Sequence, residues 1–470
     1  MEFLNYINGA FAPAQGQGTF PKPSPFDGSV LGQVAASDAM DLVLSLQSSK
    51  KALATAEKMS LADRALLLKK IADEIERRAE EIAFQEALHQ GLPQSFVLEN
   101  SVKVAATIFR KNANSLSDDF GTGSLKADKI SVSQLSSVGL IGIVAAWPLS
   151  FRLISERLAP ALAAGNAIIV KASEHSPVTA QILGEIFSAV SMPPGLVNIL
   201  QGKSEVAQAL AGHPSIRALS SVGRASTSEA LVKAGISQFK KMQISSGVKN
   251  ATLVLGETDF KTLMPEILRP FLLGQGQMGW NISRVFILES VQKEFIEALT
   301  DYMNSLKPLA SPQEAAVWTP MISEEARQAL HEKVQFGMSE HGKVLWGGAN
   351  ADSAGFFYKP TVMLDLPNCS TLQQDEVHGP LLLITPVKYQ HEMLKWVNTS
   401  YLAHSAVVWG PLQKAMKVAG KIEAAHVWLN SWLQGETQVI SGHKQSSFGI
   451  QDFDWNGKFF SDDKKLTGSL

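Results

Sequence analysis

Residues Gly139–Lys171 read GLIGIVAAWPLSFRLISERLAPALAAGNAIIVK. The first run, GLIGIVAA, is apolar and β-branched, helical spacing follows from about Ser150 to Ala164, and a second β-branched run, AIIVK, closes the unit. Such runs lack polar alternation, so they read as strands buried on both faces, and strand–helix–strand is how a parallel sheet is built. The pattern continues downstream. A helix opens after Pro177, VNIL stands at Val197–Leu200, another helix starts near Ser204, and IRALS occupies Ile216–Ser220. A helix over about Ala225–Ala234 and the strand TLVL at Thr252–Leu255 complete a series of βαβ units.

Working outward, the first 36 residues are rich in Gly, Pro and Ala and read as loops with edge strands. Ser37-Asp38 can cap a helix running to about Met59, and Ser60-Leu-Ala-Asp63 opens a second. Its stripe Leu67, Ile71, Ile75, Ala79, Ile82 keeps helical spacing until Gly91 stops it. Toward the C-terminus, a second α/β stretch from about Asn250 to Trp432 offers Arg284–Leu288, Lys343–Trp346, Leu381–Val387 and His426–Asn430 as strands. Ser124–Ser136 is polar, alternates around Ile130 and Val132, and reads as strands that leave the body.

Composition narrows the function classes. With 42 basic against 44 acidic residues, net charge −2, no field favours nucleic acid or an anionic membrane surface. The 45% hydrophobic content supports large cores, and the longest apolar runs are far shorter than the roughly 18 residues of a membrane span. Cys369 is the single cysteine, so no intrachain disulfide and no cysteine-based metal site can form; a reducing, cytoplasmic location is expected. No metal ligand set is expected. The N-terminus lacks a basic n-region followed by an apolar h-region, so no signal peptide is expected.

Gly274-Gln-Gly276-Gln-Met-Gly279 matches G-x-G-x-x-G, which elsewhere marks a dinucleotide site. That mechanism needs a strand before the glycines and a helix after them. Here a helix-like Lys261–Leu273 precedes and a strand follows, so the motif is rejected.

Five other stretches resemble the aldehyde dehydrogenase superfamily: Leu158–Ala180, PPGLVNILQG at Pro193–Gly202, DEVHGP at Asp375–Pro380, HVWLNSW at His426–Trp432 and GHKQSSFG at Gly442–Gly449. The resemblance runs from Tyr6 to near the C-terminus and leans toward the branch acting on 2-hydroxymuconate and 2-aminomuconate semialdehydes. It implies a doubly wound NAD(P)-binding domain over 1–122 and 138–247 and a second α/β, catalytic-type domain over 248–445. It also implies a β-strand oligomerisation arm with tail over 123–137 and 446–470. A homo-oligomer, dimer or tetramer, is the implied assembly.

The resemblance implies cofactor residues one by one. The family's V-K-P-S-E falls on Val170-Lys171-Ala172-Ser173-Glu174, where Lys171 and Glu174 can hydrogen-bond vicinal ribose hydroxyls and the glutamate disfavours a 2′-phosphate. Trp147, Gly223 and Glu376 also match. The family's F-T-G-S becomes Ser221-Val222-Gly223-Arg224, with Arg224 replacing a helix-capping serine. A phenylalanine that packs the nicotinamide becomes His378. NAD binding is therefore expected to be possible but weak.

The implied chemistry is the part that fails. Aldehyde oxidation in the family starts from a thiolate adduct, because a trigonal aldehyde cannot expel hydride. The motif Q-G-Q-x-C-x-x-x-S-R matches Gln275–Arg284 with Gly279 in the cysteine position. The general-base glutamate of E-L-G-G-K becomes Ser245, anchored by Lys249, and the oxyanion-donating asparagine of P-W-N becomes Pro148. No catalytic residue is intact. Three readings follow: a pseudoenzyme acting by binding or assembly, including with an active paralogue; a divergent enzyme using His378, Ser245, Ser246 and Trp280; or a conventional NAD-dependent dehydrogenase.

Overall fold

The computed structural model describes residues 1–116, 121–126, 129–256, 258–433, 442–449 and 458–469. An eight-stranded sheet carries, in spatial order, Ser447–Gly449, Lys241–Ser245, Ala218–Val222, Leu140–Ala145, Ala167–Lys171, Val197–Leu200, Asn5–Ile7 and Ala10–Ala12. Its five central strands are parallel and its outer ones antiparallel. The chain enters at Leu140–Ala145, winds one way through Val197–Leu200, then returns to the other side with Ala218–Val222. The order therefore reverses between Leu140–Ala145 and Ala218–Val222, and the crevice at the carboxyl ends of those two strands is where an open α/β sheet binds ligands.

A seven-stranded sheet runs Lys343–Trp346, Thr361–Leu364, Leu381–Val387, Ile282–Leu288, Asn250–Val254, Ser405–Trp409 and His426–Leu429. All its pairings are parallel except that of Lys343–Trp346. A continuous apolar cluster links the two sheets, from Ile141 and Val170 to Val285 and Ile384. The doubly wound α/β class is thus as expected, and Leu140–Ala145 and Ala167–Lys171 are buried at every position.

Local signals place several boundaries. Asp38 caps the helix Ala39–Lys58 and Ser60 caps Leu61–Arg77, each through a capping box. The single helix expected to follow breaks in two at Arg78, whose backbone leaves the helical region. The Arg78 guanidinium holds Glu81 at 2.6 Å and Glu185 at 2.8 Å, so the break lets it tie the neighbouring helix Pro177–Ala189. Gly91 ends the second piece in the left-handed region, φ 70°. The strand expected at Ile216–Ser220 sits two residues later, at Ala218–Val222.

Gly274–Gly279 follows a helix, Phe260–Leu272, and precedes the strand Ile282–Leu288, which confirms that it is no dinucleotide fingerprint. A third sheet pairs Ser461–Ser469 with Lys129–Ser137 and that strand with Gly121–Lys126. The C-terminal strand thus completes a sheet with the expected arm inside one chain; within that arm, 127–128 lie outside the described residues, as does Leu470. Ser447–Gly449, expected in the tail, instead edges the first sheet.

Candidate functional site

At the switch point, Ala146, Trp147 and Pro148 leave one strand and Val222, Gly223 and Arg224 leave its neighbour; all line one cavity of about 100 Å³. The strand Lys241–Ser245 delivers Ser245 and Ser246 to the same space, and the turn before Ile282–Leu288 delivers Gln277, Gly279 and Trp280. Glu376 and His378 close it from the far side. Pro148, Ser245 and Gly279, distant in sequence, therefore face one cavity. Among the described residues, a β-carbon placed on Gly279 would meet no atom within 4 Å, so their backbone leaves room there for a side chain.

The walls hold residues that sequence reasoning did not single out. The helix Ser150–Ala163 is buried all round, yet it carries Arg152, Glu156 and Arg157. Arg152 Nε donates to Glu156 at 2.7 Å, Arg157 lies 3.4 Å from the same carboxylate, and the Arg152 guanidinium stacks 4.7 Å above the Trp280 ring. Glu156, Arg157 and His404 line the cavity. Charges in an otherwise apolar helix were the available signal, since burial demands that each be paired.

Electrostatics differ between the two ends. Burial pushes the His378 imidazole well below the usual histidine range, with Arg224 and His175 adding to the effect, so it is neutral near pH 7. Among the described residues, its Nδ1 and the Ser245 hydroxyl have no hydrogen-bond partner. The Glu376 carboxylate is raised by burial, against which the Ala225 and Val248 N–H groups and the Arg224 guanidinium act. Burial lowers Arg224 itself, opposed by Glu376 and Glu174.

The cofactor candidates fall into two groups. Trp147, Gly223, Arg224, Glu376 and His378 line the cavity, and Arg224, Glu376 and His378 also border an adjoining cleft of about 180 Å³. Lys171 and Glu174 lie apart, at the end of the neighbouring strand, joined by a 2.9 Å ion pair. His175 bridges the groups, its ring 5.7 Å from that of Trp147. Glu376 Oε2 and Oε1 take the N–H groups of Ala225 and Val248, and Arg224 supplies no side-chain cap to the helix Ala225–Ile236.

Comparison with known proteins agrees with this architecture. Residues 11–466 match the model of the aldehyde dehydrogenase family. The chain is 27% identical to 2-hydroxymuconic semialdehyde dehydrogenase of Pseudomonas sp. (strain CF600), each covered over 100% of its length. It is 26% identical to human 2-aminomuconic semialdehyde dehydrogenase, covering 98% of this chain and 97% of the relative. Among solved structures, PnpE from Pseudomonas sp. WBC-3 superposes with a TM-score of 0.93 at 26% identity, over 100% of this chain and 98% of that one. An NAD+ complex of an aldehyde dehydrogenase from Bacillus cereus gives 0.95 at 24% identity, over 100% and 97%, a likeness of fold. With two sheets, a switch-point cavity and a match over nearly its whole length, this chain belongs to the aldehyde dehydrogenase family.

Proposed function

We propose that this chain keeps the aldehyde dehydrogenase fold but has lost NAD-dependent aldehyde oxidation, and that it acts by binding or assembly. The observation that carries this reading is Gly279, which faces the cavity from the position matching the family's nucleophile and has no side chain to attack a carbonyl. Ser245 and Pro148 on the same walls offer neither a base near pH 7 nor a side-chain donor to an oxyanion. The Gln275–Arg284 motif matches without a gap on both sides of Gly279, which supports the register.

The cofactor residues support the same reading. Lys171 and Glu174 suit a ribose. The pyrophosphate end does not fit, because Glu376 already takes the Ala225 N–H at the start of the helix Ala225–Ile236. NAD therefore binds weakly or not at all. The assembly is a homodimer or tetramer through the arm sheet, and an active paralogue of the same family is a natural partner for that surface. The single exposed Cys369 suits a reducing, cytoplasmic setting.

A second reading, altered chemistry, draws on one observation: the unpartnered Ser245 hydroxyl and His378 Nδ1 share the cavity. The deciding experiment is an oxidation assay with aliphatic, aromatic and muconate-type semialdehydes, with NAD and NADP, beside calorimetric NAD titration. Turnover that persists through further purification overturns the proposal and restores a conventional dehydrogenase. Consumption of an aldehyde without reduced cofactor favours altered chemistry.

A further inference from the structure

The helix Ser150–Ala163 begins without a side-chain cap from its own chain segment. Leu149, just before it, stands in the left-handed region, φ 61°, and has no polar side chain to offer the first N–H groups. Three side chains from other helices take them. Gln90 Oε1 accepts the Leu149 N–H at 2.6 Å, Glu86 Oε1 the Phe151 N–H at 2.7 Å, and the Ser101 hydroxyl oxygen the Arg152 N–H at 3.2 Å. Glu86 and Gln90 lie one turn apart on the helix Ala79–Gln90. Ser101 lies on a single π-helical turn, Leu98–Val102, closed by the Lys103 N–H on the Leu98 carbonyl, a form that recurs at functional sites.

The same carboxylate reaches the next helix. Thr179, in the first turn of Pro177–Ala189, donates its hydroxyl to Glu86 Oε1 at 3.3 Å. Gln90 Nε2 donates to Glu86 Oε1 at 2.9 Å and to the Ser176 hydroxyl at 2.8 Å, and Ser176 and Thr179 share a hydrogen bond of 2.8 Å. Glu86 Oε2 accepts the Ser101 hydroxyl at 2.6 Å. Glu86, Gln90, Ser101, Ser176 and Thr179 are all buried. Every contact brings a donor to Glu86, and a helix N-terminus favours an anion. Burial raises the Glu86 carboxyl, and these four donors oppose the rise.

We propose that Glu86 is a positioning residue that locks two walls of the switch-point crevice into one ligand site. The turn from Leu140–Ala145 into Ser150–Ala163 carries Trp147 and Pro148 on the cavity wall. The turn from Ala167–Lys171 into Pro177–Ala189 carries Glu174, paired with Lys171. Glu86 holds the first residues of both helices, so it fixes one turn against the other. Along the first helix, Arg152 stacks over Trp280, so the setting of that helix also sets the wall beside Gly279. Removing the carboxylate leaves the buried Phe151 N–H and Ser101 hydroxyl without this acceptor and lets the two helix starts move independently. The proposal rests on the reading of Lys171 and Glu174 as a pair suited to a ribose.

The test uses the full chain with two probes. Adenosine, titrated by calorimetry, carries vicinal hydroxyls and no phosphate to meet the helix end held by Glu376. Iodoacetamide reports the cavity wall through the thiol of Gly279→Cys. Both are measured well below each variant's unfolding temperature, so lost stability alone moves neither. Glu86→Ala should weaken adenosine several-fold and, in the Gly279→Cys background, speed alkylation several-fold. Glu86→Gln keeps an acceptor for the Phe151 N–H and turns its amide to the Ser101 oxygen, so both readouts should return toward wild type. Glu174→Gln should weaken adenosine and leave alkylation unchanged, which separates the ribose pair from the positioning residue. If wild type does not bind adenosine, the ribose reading falls, and the alkylation rate alone decides on Glu86. If Glu86→Ala does not fold, Ser101→Ala, a small change that removes the tie between Glu86 and the Arg152 N–H, takes its place. Wild-type adenosine affinity together with a wild-type alkylation rate in the folded variant overturns the proposal, as does a wild-type alkylation rate where adenosine does not bind.

Discussion

Glu376 Oε2 accepts a hydrogen bond from the Ala225 N–H at 3.2 Å, which seats a carboxylate of the chain itself on the first turn of the helix Ala225–Ile236. The other carboxylate oxygen takes the Val248 N–H at 3.0 Å. The free N–H groups and positive dipole end of a helix favour an anion at this place, and Glu376 supplies one. Gly247 permits the approach: a β-carbon there would meet Ala225 at 2.8 Å and Glu376 at 3.1 Å. On the proposed reading of this helix end as the pyrophosphate site, an incoming pyrophosphate meets this carboxylate and Arg224.

Cofactor affinity should therefore respond to both residues. Wild type is expected to bind NAD weakly or not at all by calorimetry. Arg224→Ser, which restores a capping side chain, should tighten binding, and Glu376→Ala should tighten pyrophosphate or ADP binding by vacating the helix end. Submicromolar NAD affinity in wild type contradicts the expectation, and an unchanged Arg224→Ser clears that residue.

No oxidation of aldehydes should rise above background. Loss of a covalent nucleophile costs on the order of 10⁴–10⁶ in rate. Gly279→Cys should fold, since among the described residues its β-carbon has no neighbour within 4 Å. It should gain a thiol that alkylates slowly and yet restore little turnover, because Ser245 and Pro148 are unchanged. Family-level turnover in Gly279→Cys alone would show that base and oxyanion donor survive in other residues.

Stability should rise with pH above neutrality because of Lys22. The side chain is 2% exposed, and its ammonium donates to the Pro23 carbonyl. Burial pushes its pKa down to about 7 from 10.5. Between those values the unfolded chain binds more protons than the folded one, so stability grows with pH, by roughly 1.4 kcal/mol per pH unit at most. Below about pH 7 the penalty is present in full. Lys22→Met should flatten the slope between pH 7 and 10 and stabilise the protein at pH 7, read by urea unfolding. An unchanged slope assigns the effect elsewhere.

The protein should be at least a dimer. Ile130 is 40% exposed and Leu466 46% exposed on the sheet formed by Lys129–Ser137 and Ser461–Ser469, and among the described residues nothing pairs the outer edges of that sheet. Light scattering at micromolar concentration should report the oligomer, and Ile130→Lys with Leu466→Asp should shift it toward monomer. Deleting 126–134 should instead strand Ser461–Ser469 and promote aggregation. A monomeric wild type removes the assembly role.

The sequence alone determined the βαβ units, because apolar β-branched runs such as Ala167–Lys171 and Val197–Leu200 have no stable alternative to burial in a parallel sheet. Caps at Asp38 and Ser60 fixed their helix starts through purely local hydrogen bonds. The strand Lys241–Ser245 was illegible because KMQIS is half polar; Gln243 becomes buried by accepting the Ser220 hydroxyl across the ladder at 2.7 Å, a partner 23 residues away. The residues of the site could be named by resemblance, but that Pro148, Ser245 and Gly279 share walls with Glu156, Arg157 and His404 was decided by packing. So was the seat of Glu376 on the Ala225 helix, which depends on two segments about 150 residues apart meeting across a glycine. The i,i+4 spacing of Arg152 and Glu156 offers an ion pair along the chain, but that the pair is buried is a property of the assembled interior.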